Sequence, residues 1–388
     1  MPTAAQPKVA LLIESSNAYA RGILRGVEDY IRARGPWSVY LAEHGRGDRP
    51  PSWLANWKGD GIIARIENRA IARALGRMKV PIVDVSAARL LSGVPWVETD
   101  DTAIAEAAAQ HFFERGFQHF AFCGDARFNW SQWREARFSE FVRARGYACT
   151  SFAQKARDVA DDAAMDELAR WIERLPKPVA IFACYDARGQ QVLDACRRAG
   201  VSVPEQVAVL GVDNDEILCD LSPPPLSSVI PNARKAGWVA AELLAGMMAG
   251  ARTIEQAHLI PPVGIATRQS TDIAAVADPH VAMAAGYIRE NACRGIGVQD
   301  VVRVIPLARR LLERRFRSAL GRTLREEITR VQIQRVKRLL TETELPLAEI
   351  AGRTGFRHVE YLTVVFKRET GQPPSVFRSE QRPGRTGR

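Results

Sequence analysis

The sequence has no CxxC pair, no tryptophan after Trp238, and no apolar run approaching the roughly 18 residues that a membrane span needs. Each absence excludes something. Cys123, Cys149, Cys184, Cys196, Cys219 and Cys293 are scattered, which argues against a zinc site or a disulfide framework and fits small buried hydrophobes in a reducing compartment. The N-terminal MPTAAQPKVALLIESSN meets an acid after a short apolar run, so it reads as a strand rather than a signal peptide. GxGxxG, HExxH, GxSxG and the phosphate-binding GxxxxGK motif are also missing, and the histidines have no ligand-like spacing. Paired acids such as Asp100 and Asp101 could do acid–base work, but sequence neighbours seldom face one substrate. No catalytic residue, metal or cofactor is expected.

Net charge is absent from most of the chain. The total is +10 over 388 residues, yet residues 281–388 hold 22 Lys and Arg against 11 Asp and Glu, while residues 1–280 hold 32 against 33. All eight Trp lie in the neutral part. The split predicts two modules with different partners, the basic one suited to a polyphosphate.

In the first module, residues 1–270, apolar runs at 9–15, 59–66, 80–86, 119–125, 178–186 and 206–215 are mostly separated by amphipathic helical patterns. Strands buried on both faces and alternating with helices predict a doubly wound parallel sheet, and the length fits two α/β lobes around a cleft. Ligands of such sheets meet the carboxyl ends of the strands. There the chain carries Ser16 and Asn17, then Asp84, Asp100, Arg134, Asp186 with Arg188, and Asp213. Carboxylates and a guanidinium can fix sugar hydroxyls, while Tyr19, Trp130, Trp133 or Tyr185 offers an apolar face to a sugar ring. A lone Asp at such a place more often caps the next helix, and only the set points to a ligand.

The segments VLGVDND, WREARFSEF and LSSVIPNARKAGWVAAELL resemble the LacI/GalR-type sensor domain, which is periplasmic-binding-protein-like. The resemblance implies that Asp213 and Arg134 are effector ligands with Asp186 and Arg188 close by. That family's N-terminal DNA-binding headpiece has no counterpart here, so nucleic acid is expected to be read elsewhere.

The segment STDIAAVADPH breaks the pattern, and residues 271–280 are expected to be a linker. From residue 281 to 380 the chain reads as short helices joined by tight turns, followed by a disordered basic tail over 381–388. Within this part LLERRFRSALG (311–321) returns fifty positions later as YLTVVFKRETG (361–371). Each copy sets Leu four residues before Phe and closes on Gly, which predicts two similar helices with glycine C-caps. A shorter helix and a turn precede each, at QDVVRVI and LPLAEIAGRTGF, which makes two helix-turn-helix units on a long spacer helix, Leu324 to Leu340. The first recognition helix is expected from Leu307 to Leu320, presenting Arg309, Arg310, Glu313 and Arg314. The second is expected from about residue 358, presenting His358, Glu360 and Thr363, with Arg357 and Lys367 at its ends. Arg-rich amphipathic helices are usually solvated faces, but two copies on a spacer suit successive major grooves about 34 Å apart.

LPLAEIAGRTGFRHVEYLTVVFKRETGQPPSVFR resembles the AraC-type DNA-binding domain. Two departures fall in the first unit, Val302 for a usual Ala and Ala308 for a usual capping Ser, which leaves that unit the weaker. Sensor first and tandem helix-turn-helix last resembles the xylose operon regulator (XylR) family. That implies a cytoplasmic homodimer that binds operator DNA, takes D-xylose or a related sugar as effector, and engages RNA polymerase as an activator. The alternatives are response to another monosaccharide or sugar derivative, and action as a repressor. A transport binding protein would need an export signal and no basic module, and a nucleotide-using enzyme would need a phosphate-cradling loop.

Overall fold

The computed structural model of the chain describes residues 6–42, 45, 48–154, 162–251, 257–272, 278–343 and 345–381. The chain divides into two compact units, Met1–Ile273 and Ala274–Arg388. Residues 273–277 of the expected linker and 382–388 of the expected tail lie outside the described residues.

The first unit contains β1 (Lys8–Leu12), β2 (Ser38–Leu41), β3 (Gly61–Ala64), β4 (Ile82–Asp84), β5 (Trp96–Thr99), β6 (His119–Asp125), β7 (Cys149–Gln154), β8 (Val179–Ala183), β9 (Val207–Val212), β10 (Ser227–Ile230), β11 (Ala257–Ile260) and β12 (Gly264–Ala266). They form two sheets of six, ordered β11-β5-β4-β3-β1-β2 and β12-β10-β9-β8-β6-β7. Every pairing is parallel except that of β12 with β10. This is the two-lobed, doubly wound architecture that the alternating runs predict. The chain passes between lobes after β5, after β10 and between β11 and β12.

Alternation along each strand supplies both faces of its sheet. Val9 and Leu11 of β1 pack with the helices Ala18–Arg34 and Ala233–Met248, while Ala10 and Leu12 meet Leu54, Ile71 and Leu75 on the other side. The two helices touch backbone to backbone. A Cβ on Gly26 would stand 1.9 Å from the carbonyl oxygen of Arg234, and one on Gly237 would stand 2.0 Å from that of Ile23.

The second unit is all helical. Arg309–Leu320 and Val359–Thr370 are each 12 residues long and stand in register fifty positions apart. Leu312, Phe316, Leu362 and Phe366 are fully buried. Gly321 (φ 68°) and Gly371 (φ 83°) close the helices in the left-handed conformation, their N–H groups donating to the carbonyls of Arg317 and Lys367. Between the two helix-turn-helix pairs Leu324–Glu342 runs from a capping box made by Thr323 and Glu326.

Two expectations need correction here. The first recognition helix starts at Arg309 rather than Leu307, because Pro306 holds Ile305 out of the helical region (φ −98°, ψ 124°) and Ala308 stays extended (ψ 134°). The expected capping asymmetry is also absent: neither Ala308 nor His358, the two N-cap residues, makes a side-chain cap bond. Nothing in the capping therefore makes the first unit the weaker one.

Substituting Gly26→Ala or Gly237→Ala should lower the thermal midpoint of the first unit, since overpacking of about 1–3 kcal/mol exceeds the roughly 1 kcal/mol gained in helix propensity. Gly246→Ala, whose new methyl would meet nothing closer than 3.8 Å, should be neutral or stabilising in the same melting experiment.

Candidate functional site

At the carboxyl ends of both sheets lies a cleft lined by Tyr19, Arg65, Val85, Ala87, Glu98, Thr99, Trp130, Arg134 and Asp213. Four sequence-derived candidates, Tyr19, Trp130, Arg134 and Asp213, meet there. Arg134 is buried. Its Nε donates to Asp101 Oδ1 at 2.6 Å and its Nη1 to the carbonyl of Cys184 at 2.6 Å, while its guanidinium lies 4.8 Å from the centre of the Trp130 ring. Asp213 follows β9 in a positive-φ conformation (111°), as does Asn214 (48°). Non-glycine residues hold such angles only where their surroundings fix them.

Those surroundings account for Asp186, which does not line the cleft. Fully enclosed, it accepts from the Asp215 N–H at 2.8 Å and the Ser228 hydroxyl at 2.6 Å, so it holds the turn that carries Asp213. Burial, then the Asp213 charge, pushes its carboxyl well above the usual range. Gly211 lets it approach, since a Cβ there would stand 2.3 Å from Asp186 Oδ1.

The other candidates also lie off the cleft lining. Ser16 is exposed. Asn17 caps the helix that begins at Ala18, and Asp100 caps Asp101–Phe113 by accepting from the Ala103 N–H at 3.0 Å. Asp84 accepts from the Ser86 N–H at 2.9 Å, and burial lifts its carboxyl to about 7. Arg188 is buried with its Nη1 on Gln191 at 2.5 Å. Among the aromatic candidates only Tyr19 and Trp130 line the cleft; Tyr185 packs edge-on against Trp130, and Trp133 against a different arginine.

Two charged lining residues escape the sequence reading. Arg65 directly follows β3, its Nη1 donating to Glu14 and its Nη2 to Glu67, both at 2.5 Å. Glu98 stands inside β5, 3.4 Å from Arg89 Nη2. Burial, then the charge of Asp101, lifts its carboxyl to about 8 despite that cation. Arg89 joins the lobes: its guanidinium lies 3.8 Å from the ring centre of Trp96 in one and 4.8 Å from that of Trp133 in the other. Arg21 with Asp215 (3.2 Å), and Asn129 with the carbonyl of Ala87 (2.6 Å), bridge the same gap.

In the second unit Arg309, Arg310, Arg314, Arg357, His358, Glu360 and Lys367 are exposed. Glu313 accepts from Arg309 Nε at 3.0 Å, and the Thr363 hydroxyl donates back to the Val359 carbonyl at 2.9 Å, so both are partly engaged within their helices. Tyr361 and Val364 are 53% and 64% exposed, an apolar addition to this face that polarity-based reading overlooks.

Residues 8–102 match the family model of the XylR N-terminal domain, 109–271 that of a periplasmic binding protein-like domain, and 302–380 that of a helix-turn-helix domain. Over 384 residues the chain is 33% identical to the xylose operon regulatory protein of Escherichia coli strain K12, with 96% of each covered. The chain belongs to the XylR family. A Haemophilus influenzae xylose operon regulatory protein is 31% identical over 382 residues, covering 96% of this chain and 98% of its own. The solved structure of a xylose-binding transcription activator, xylR, superposes with a TM-score of 0.86 at 32% identity, covering 97% of this chain and 99% of that one. These XylR-family relatives are transcription regulators rather than enzymes.

Because Glu98 is held protonated in the fold up to about pH 8 against an ordinary value of 4.5, its contribution is full at low pH and lost as pH rises between those values. Arg89, Asp101 and Arg134 are the charges acting on it. Glu98→Gln should therefore be more stable than the parent at pH 8.5, by on the order of 1 kcal/mol, with the gap closing toward pH 5 in urea denaturation.

Proposed function

We propose that this XylR-family chain is a sugar-responsive transcription activator that works in the cytoplasm as a homodimer. Its cleft takes D-xylose as effector, its second unit grips operator DNA, and it acts on RNA polymerase. The observation that carries this reading is the union, in one polypeptide, of a polar cleft between two α/β lobes with a duplicated helix-turn-helix. The end-to-end similarity to xylose operon regulators supports the choice of sugar.

Asp213 supplies the acceptor for sugar hydroxyls and Arg134 a charged donor already oriented by Asp101. Trp130 walls the ring. Contacts such as Arg89 with Trp96 and Trp133 tie the lobes over a bound ligand. On DNA, Arg309, Arg310, Glu313 and Arg314 face one groove segment, and Arg357, His358, Glu360, Thr363 and Lys367 the next, with Arg suited to guanine and apolar side chains to thymine methyls.

Calorimetry with D-xylose tests the cleft. Asp213→Asn and Arg134→Gln should each weaken binding by about tenfold or more, since a hydrogen bond to a charged group is worth about 1.5–3 kcal/mol. Unchanged affinity in both would remove these residues from the site.

Footprinting tests the interface. Arg310→Ala or Arg314→Ala should cost about 1–3 kcal/mol at one groove segment, and Glu360→Ala should shift base preference about one helical turn away. Effects converging on the same base pairs would exclude the successive-groove arrangement.

A further inference from the structure

Two polar atoms in the cleft wall are buried with no hydrogen-bond partner, Tyr19 Oη and Arg65 Nε. Both belong to residues that line the same cleft, and the Arg65 guanidinium lies 5.4 Å from the centre of the Tyr19 ring. Arg65 is 6% exposed and cannot swing away, because Glu14 and Glu67 hold its two terminal nitrogens. That clamp leaves Nε as the one guanidinium nitrogen with no partner. Burial, then the Glu98 charge, drives the Tyr19 hydroxyl far above its ordinary value, so it keeps its proton; Thr99 is close enough to act on it but is not a hydrogen-bond partner. The free protein thus carries, in residues lining one cleft, two donors with no hydrogen-bond partner, a cost a fold accepts at a site that another molecule completes.

Resting on the sugar-effector reading above, we infer that Tyr19 and Arg65 form a two-donor grip on a single acceptor oxygen of the effector, and that this grip sets which sugar is accepted. Arg65 Nε can only donate, so the atom it meets must be an acceptor: a sugar hydroxyl oxygen or the ring oxygen. Asp213, across the cleft, takes the complementary role for hydroxyl hydrogens. A sugar lacking the gripped oxygen leaves both donors buried and unmet, which gives the site its power to reject it.

The test uses the full chain, D-xylose, its monodeoxy analogues at positions 1 to 4, and the analogue with a methylene in place of the ring oxygen. The parent should bind one of these analogues at least about tenfold more weakly than D-xylose. Tyr19→Phe should bind D-xylose about tenfold more weakly while losing most of its discrimination against that one analogue. Its free form should melt no lower than the parent, since the oxygen removed has no partner, whereas a merely structural hydroxyl would lower the midpoint. Arg65→Lys keeps the charge between Glu14 and Glu67 and should repeat the pattern; if it fails to fold, Tyr19→Phe still decides. Parent-like affinity in Tyr19→Phe, or undiminished discrimination in it, overturns the grip. If the parent ignores D-xylose but binds another aldose in a thermal-shift panel, the choice of sugar is wrong and the grip is tested with that aldose and its deoxy forms. If no aldose binds, both readings fail.

Discussion

Two guanidinium groups, those of Arg65 and Arg134, sit buried where the lobes meet, and a buried cation must be paired. Much of the polar architecture of the cleft follows from that requirement. Glu14 and Glu67 answer Arg65, and Asp101 and the Cys184 carbonyl answer Arg134. These partners come from the ends of different strands, so satisfying the charges also fixes the strand ends relative to each other. Removing one partner of such a pair typically costs about 3–5 kcal/mol, far more than the pair contributes over an apolar filling. The arrangement therefore gives specificity of form more than stability, and it holds the donors of the cleft rigid before any ligand arrives.

The fold was legible in the sequence because β1, β3, β4, β6, β8 and β9 are apolar on both faces. The six remaining strands carry weaker signals: β2 is exposed along its length, and β10 opens with Ser227 and Ser228, which are buried but polar. Reading the residue after each strand led to Tyr19, Arg134 and Asp213. It missed Arg65 because Ile66 follows and the apolar run continues past it. It missed Glu98 because that residue lies within β5 rather than after it. Asn17, Asp84, Asp100 and Asp186 have the residue types of ligands yet hold caps and turns, since spacing along the chain does not say toward which side a short side chain turns.

The helix-turn-helix pair was easier to read, because everything that defines it is local: a Leu and a Phe one turn apart, then a glycine where the helix must stop. The finer points depended on neighbours. Pro306 delays the start of the first recognition helix, and the His358 side chain, polar as it is, caps nothing. The turn between the two helices of each unit also differs, spanning residues 305–308 in the first and 354–358 in the second, so the repeated helices are presented by unequal connections.

The three passages of the chain between the lobes bear on how the protein is made. The helix Ala18–Arg34 is synthesised well before Ala233–Met248, which covers its apolar face, and the first sheet is completed only by β11. The second sheet waits for β12, a few residues later. Neither lobe can finish while the other is still being synthesised. The first sheet, begun at Lys8, receives its last strand only at Ala257–Ile260 and the second, begun at His119, only at Gly264–Ala266, so both are completed within the same short interval of the chain. A chain cut short before residue 257 would leave both sheets without their last strand.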